Sequence, residues 1–170
     1  MHWTRLCSLI CVTVLTPACG SDTPPTPDAP FALSRNATMI DVVDGDTIDV
    51  SIAGHRERVR LIGIDTPETK KPDVPIQCFG PEASTFTKSL LPHDMPLHLE
   101  RDVVARDDYG RLLAYVYRAD DGEFVNLVII RNGYARPLTI APNSTHADEF
   151  GEAARVAEAG NVGLWGECSG

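Results

Sequence analysis

The 170-residue chain predicts an α+β fold whose β part is a small barrel. Three features predict it: short alternating runs crowd the region after residue 36, one helical stripe interrupts them, and helical stripes close the chain. No internal repeat occurs, and a chain of this length makes one domain with appendages rather than two.

The strand-like pattern begins at about Met39. Ile48, Val50 and Ile52 alternate with Thr47, Asp49 and Ser51 as far as the turn pair Ala53-Gly54. Val59, Leu61 and Gly63 then alternate with Arg58, Arg60, Ile62 and Ile64, which reads as the returning strand of a hairpin. Thr66-Pro67 stops it, and a loop rich in Lys and Pro follows over 70–77. Gly80-Pro81-Glu82 puts proline at the first helical position and acid in the first turn, so a helix starts there with Ala83, Phe86 and Leu90 as its apolar stripe. Two further strands are predicted at Leu97-His98-Leu99 and from Arg111 to Tyr117. Val125 to Arg131 reads as a short buried helix closed by Gly133. Thr145, with Asp148 three residues on, resembles a capping box opening the last helix, whose stripe is Ala147, Phe150, Ala154 and Ala157 and whose end is near Gly160.

The N-terminal residues read as a targeting segment. A short basic start (His2, Arg5), an apolar run from Leu6 to Ala18 and small residues after it describe a secretory signal over 1–19. That run is short for a spanning helix, which needs roughly 20 apolar residues. Cys19, behind Thr16-Pro17-Ala18 and before Gly20-Ser21, resembles a lipidation site that would anchor the product to a membrane; ordinary signal cleavage nearby is the other reading. Residues 20–35 form a Pro-rich linker, and 36–170 form the folded domain. After removal of the signal, Cys78 and Cys168 remain as an even pair in an exported domain, for which a disulfide is the plain reading.

The formal charge is −9, and loss of Arg5 with the signal makes the domain more acidic still. A protein that grips nucleic acid through a broad basic face is thereby excluded, because that binding rests on Lys and Arg neutralising phosphates. Any work on phosphate must come from a few placed charges. Four polar clusters supply candidates: Asp44-Gly45-Asp46-Thr47, Arg60 with Asp65-Thr66-Pro67-Glu68, Asp107-Asp108-Tyr109-Gly110-Arg111, and Pro142-Asn143-Ser144-Thr145-His146. Singly, each is an ordinary turn or solvated face.

Taken in order, however, the strings VDGDT, RLIGIDTPETK, FGPEAS, DDYGR, RNGYA and PNSTH resemble the staphylococcal nuclease (thermonuclease) family, from about Val42 to Trp165. The resemblance implies an OB-fold barrel of five strands with three helices. It also implies a calcium-dependent phosphodiesterase acting on DNA and RNA with 3′-phosphate products, and a monomer is expected. On the matching positions it implies Asp46 and Asp65 as Ca²⁺ carboxylates, with the Thr66 carbonyl completing the protein ligands. Glu68 is implied as the residue that activates water, and Arg60 and Arg111 as the pair that holds the scissile phosphate. Tyr109 matches a substrate-phosphate contact, and Lys70 and Lys71 lie in the loop beside the site. His146 reads as structural, near a helix start. The chemistry of these types is consistent: hard oxygens suit Ca²⁺, and planar guanidinium forks suit phosphate oxygens.

Two departures bear on substrate. Asp108 stands where the family's best-known member has Lys, and the segment from Pro137 to Ala141 lacks that member's nucleotide-stacking tyrosines. Base stacking on an aromatic contributes about 1–3 kcal/mol, so weaker nucleotide affinity is expected. A phosphodiesterase for small diesters and a non-catalytic OB-fold module that binds nucleic acid or another ligand are the alternatives. Against the module stands the retention of Asp46, Asp65, Glu68, Arg60 and Arg111, since a pure binder gains nothing from a poised carboxylate beside a phosphate.

Overall fold

The computed structural model describes residues 33–69 and 75–168. Five strands close a barrel in the order β1 (Ala37–Asp44), β2 (Thr47–Ile52), β3 (His55–Leu61), β6 (Leu112–Arg118) and β5 (Pro96–Glu100), with β5 pairing back to β1. All pairings are antiparallel except β3 with β6. This is the five-stranded OB-fold barrel expected. The alternation seen in the sequence is what fills it: Ile48, Val50, Val59, Leu61, Leu97 and Val116 are all buried in the core.

Outward-facing positions of β2 and β3 are charged. Asp49 stands opposite Arg58 across the pair and accepts hydrogen bonds from Arg58 at 2.9 and 3.1 Å and from Arg56 at 2.6 Å. The Arg58 hydrogen bond leads in holding the Asp49 carboxyl below the usual carboxylate range, against the opposing effect of burial. A depressed folded pKa contributes stability above the unfolded value, near 3.9, and that stability is lost as pH falls through the folded value. Urea titrations from pH 7 to pH 2 should therefore show a smaller acid-side loss in Asp49→Asn than in the parent. Equal losses would remove Asp49 from the acid sensitivity.

Helix α1 (Gly80–Leu90) begins after Phe79, which takes a left-handed backbone, and carries Glu82 in its first turn and Lys88 in its last. Both charges complement the helix dipole. Helix α2 (Val125–Arg131) is buried and closes at Gly133, whose φ is +71° and whose N–H donates to the Ile130 carbonyl at 2.8 Å. Its fully buried Asn126 accepts from the Val116 N–H at 2.9 Å and donates to the Ile62 carbonyl at 2.8 Å. That amide satisfies backbone groups where β3 and β6 stop pairing. Helix α3 (Ala147–Ala159) buries Phe150, Ala154 and Ala157, as its stripe predicts.

Three details differ from the sequence reading. The run expected to continue through Ile64 breaks after β3: Gly63 sits at φ +80°, and β4 (Gly63–Asp65) pairs instead with β7 (Arg136–Leu138) in a separate two-stranded sheet. A Cβ on Gly63 would stand 2.3 Å from the Phe150 ring, so the residue is glycine for conformation and for space. Thr145 does not cap α3. The N-cap is His146, without a side-chain cap bond, and the Thr145 N–H donates to Asp102 Oδ2 at 3.1 Å. Finally, a fourth helix, α4 (Leu164–Glu167), follows the three implied, buried at Leu164 and tied by the Leu164 N–H to the Gly133 carbonyl at 2.9 Å. A disulfide joins Cys78, ahead of α1, to Cys168, at the end of α4, with Cα atoms 5.9 Å apart.

Candidate active site

The site is assembled on the outer side of the barrel from two turns and the end of β3. β1 and β2 meet through Gly45-Asp46, since Asp44 pairs with Thr47. Asp44 Oδ1 accepts the Gly45 N–H at 2.9 Å and the Thr69 hydroxyl at 2.7 Å. From α1, the buried Thr87 hydroxyl donates to the Gly45 carbonyl at 2.7 Å. A Cβ at Gly45 would lie 2.7 Å from Thr66 Oγ1, so close packing of the two turns requires glycine there. The turn is thus held from two sides, which keeps the buried Asp46 in place.

Asp46 Oδ1 accepts the Thr47 hydroxyl at 3.0 Å, and Oδ2 accepts the Thr66 N–H at 2.9 Å. The second turn, after β4, brings in Asp65. Arg60 Nη2 lies 3.2 Å from Asp46 Oδ2 and 3.1 Å from Asp65 Oδ1, while Nη1 donates to the carbonyls of Leu61 and Ile64 at 2.9 and 2.7 Å. The Arg60 side chain is only 14% exposed. Four acceptors on a half-enclosed guanidinium fix its orientation before any ligand arrives.

Glu68 is held by its backbone. Its N–H donates to Gln77 Oε1 at 2.9 Å, and its carbonyl accepts the Gln77 N–H at 3.0 Å. Its Oε1 accepts the Thr69 N–H at 3.0 Å. Arg111 is braced by Asp107, which accepts Nε at 2.6 Å and the Arg111 backbone N–H at 2.9 Å. The Tyr109 ring is 86% exposed, 5.4 Å from the Arg111 guanidinium carbon.

These groups line one depression of about 610 Å³, which brings together Asp44, Asp46, Asp65, Glu68, Arg60 and Arg111. A second, of about 440 Å³, adjoins it and has Val104, Leu138 and Ile140 among its walls. Arg60, Tyr109 and Arg111 line both. The aliphatic Leu138 and Ile140, both exposed, come from the segment that lacks tyrosines.

Electrostatics mark the acidic side of the cleft as short of positive charge. Burial raises the Asp65 carboxyl above its ordinary value; the charges of Asp46 and Glu68 add to this and Arg60 opposes it. Burial likewise raises Asp44, with a Glu68 hydrogen bond and the Asp46 charge adding to it and the Thr69 and Gly45 hydrogen bonds opposing. Crowded carboxylates of this kind are relieved by a cation. Among the described residues no group of three or more His, Cys, Asp or Glu is spaced to hold a metal ion. A hard cation bound in this cleft would find the carboxylate oxygens of Asp46 and Asp65, each within 3.2 Å of Arg60 Nη2. Carboxylate oxygens are the donor type that such an ion takes.

The described part of the sequence-derived set therefore converges: Arg60, Glu68, Arg111, Asp46, Asp65, Thr66 and Tyr109 all line the one depression. Lys70, Lys71 and Cys19 lie outside the described residues. His146 lies apart from both depressions, its ring packed against Tyr115 and Phe124 at 4.6 and 4.8 Å, consistent with a structural residue. Sequence reasoning missed the supporting roles of Asp44, Gln77 and Asp107. Asp44 and Asp107 sit inside the quoted motifs, but nothing in the pattern around Gln77 signals its clasp on Glu68.

A closed five-stranded barrel bearing an outer cleft lined by carboxylates and arginines defines a class of small α+β proteins. The staphylococcal nuclease homologue family matches residues 58–167. The chain belongs to the staphylococcal nuclease family. It is 42% identical over 124 residues to a thermonuclease of Staphylococcus intermedius, covering 73% of this chain and 72% of that one. It is 39% identical over 127 residues to the thermonuclease of Staphylococcus hyicus, covering 75% and 73%. Endonuclease YncB of Bacillus subtilis (strain 168) is 39% identical over 132 residues, 76% of this chain and 61% of that protein.

Proposed function

We propose that this protein is an exported, calcium-dependent nuclease that hydrolyses phosphodiester bonds of DNA and RNA to leave 3′-phosphates. The observation that carries this reading is Arg60 Nη2 within 3.2 Å of both Asp46 and Asp65, in the depression that also holds Glu68 and Arg111. The names of the thermonuclease and endonuclease relatives support the nucleic-acid substrate.

In this mechanism Arg60 and Arg111 hold the scissile phosphate. Glu68 takes a proton from a water whose oxygen attacks phosphorus. The bond to the 5′ oxygen breaks, and that oxygen takes up a proton from solvent. A calcium ion held by Asp46, Asp65 and the Thr66 carbonyl would supply further positive charge against the phosphate oxygens. The formal charges of the three acids, the ion, the two arginines and a diester cancel. The charge that develops in the transition state then meets donors already in position. Without the ion, the same three acids and two arginines are net negative and repel a diester, which makes the activity metal-dependent. The signal-like residues 1–19 support export, with Cys19 as the residue that would carry a membrane-anchoring lipid.

The aliphatic Leu138 and Ile140 beside the cleft favour a second reading, a phosphodiesterase for small diesters. One experiment addresses both: digestion of heat-denatured DNA and of a dinucleotide by the purified protein, at millimolar Ca²⁺ and in chelator, beside Glu68→Gln. The expected result is DNA cleavage that chelator abolishes and that Glu68→Gln lowers by about 10²–10⁴-fold, the range for a positioned general base. Undiminished cleavage in chelator would remove the metal. Cleavage of the dinucleotide alone would favour the second reading.

A further inference from the structure

Strand β3 carries arginine at every second position: Arg56, Arg58 and Arg60. Strand side chains alternate between faces, so these three share the outer face while Val59 and Leu61 fill the core. Each two-residue step advances about 7 Å along the strand, the order of one step of an extended nucleotide chain. Arg60 belongs to the cleft already described. Arg58 and Arg56 lead away from it.

A shallow depression of about 320 Å³ lined by Asp49, Arg56, Arg58, Tyr109, Gly110 and Arg111 continues from the cleft, sharing Arg58, Tyr109 and Arg111 with it. The bland explanation is that these arginines merely neutralise Asp49, whose side chain is 2% exposed. One of them suffices for that, because Arg58 alone holds both Asp49 oxygens, at 2.9 and 3.1 Å. Arg56 adds a surplus positive charge, and the two side chains remain 62% and 51% exposed. In a chain of charge −9, a row of cations running out of the cleft is a placed feature.

We infer that Arg58 and Arg56 form a second phosphate subsite, which takes a phosphodiester neighbouring the scissile one in a single-stranded nucleic acid. The inference rests on the nuclease reading and sharpens it: the subsite makes the site one for polymers rather than isolated diesters, and it supplies grip that the missing tyrosines do not. Asp49 sets its strength, since the trio of Arg56, Arg58 and Asp49 is net +1 and so neutralises one phosphate.

Two substitutions of opposite sign test it. Arg56→Gln leaves the Arg58–Asp49 pair intact and the trio neutral; Asp49→Asn leaves the fold's packing shape and makes the trio +2. Binding of a fluorescein-labelled 12-nucleotide DNA is followed by anisotropy at saturating Ca²⁺ in a Glu68→Gln background, whose slowed cleavage leaves the probe intact, across a KCl series. The slope of log affinity against log salt should become shallower by about 0.7 in Arg56→Gln and steeper by about 0.7 in Asp49→Asn, the increment for one phosphate on single-stranded nucleic acid. On denatured DNA with Ca²⁺, Arg56→Gln should lower kcat/KM about fivefold through KM while dinucleotide cleavage stays within twofold. Slopes that do not move, or that move the same way in both variants at unchanged melting temperature, overturn the subsite. So does an equal loss on polymer and dinucleotide. Failure of the nuclease reading looks different: the parent cleaves neither substrate, while the binding slopes still report on the arginines.

Discussion

Lysine in place of Arg111 should slow cleavage of denatured DNA by about 10²–10³-fold, the loss seen when one preorganised donor to a developing oxyanion is removed. The loss falls mainly on kcat. Arg111 is held by Asp107 through Nε at 2.6 Å and through its backbone N–H at 2.9 Å, so the guanidinium is braced at one edge while it serves the cleft from a planar fork. An ammonium has no second edge. It would either keep Asp107 or reach the phosphate, and it cannot follow two phosphate oxygens as they rearrange. Single-turnover rates for the parent and the variant at saturating Ca²⁺ decide the matter. A variant that cleaves as fast as the parent would take Arg111 out of the chemistry.

Loss of the Cys78–Cys168 bridge should cost about 2–4 kcal/mol of stability, because the two residues are 90 positions apart and the crosslink removes much of the unfolded chain's freedom. For a domain of this size the melting temperature should fall by roughly 10 °C. The bridge joins the segment entering α1 to α4, which is also held by the buried Leu164 and by Trp165, whose ring lies 4.3 Å from the Arg136 guanidinium carbon. The check is a thermal melt of the parent and of the Cys78→Ser/Cys168→Ser double variant, each with and without reductant. Reductant should lower the parent to the variant's midpoint and leave the variant unmoved. A parent whose midpoint ignores reductant would show that the bridge does not bear on stability.

Much of the site is legible in the chain because its chemistry needs residue types that a core does not. Asp46, Asp65 and Glu68 interrupt apolar alternation at turns, and Arg60 breaks into a strand whose neighbours Val59 and Leu61 are buried. Residues that act by position carry no such mark. Gln77 reaches back nine residues to clasp Glu68, and Asn126 serves Ile62 from 64 residues away. Their partners are chosen by the way the chain returns, and nothing local to either residue encodes that return.

The same divide runs through the fold. Periodicity by itself determined the barrel strands β2 and β3 and the Phe150–Ala154–Ala157 face of α3, because burial of one face imposes a period on any element long enough to show it. The three-residue strands β4 and β7 are too short to have a period, and only the packing of Gly63 against Phe150 sets their pairing. The arginines of β3 alternate plainly in the sequence. Only the tertiary structure decided that Arg56 and Arg58 stand beside the cleft with Arg58 opposite Asp49 and Arg56 hydrogen-bonded to it, because which residues of a neighbouring strand lie alongside is a property of the sheet and not of the strand.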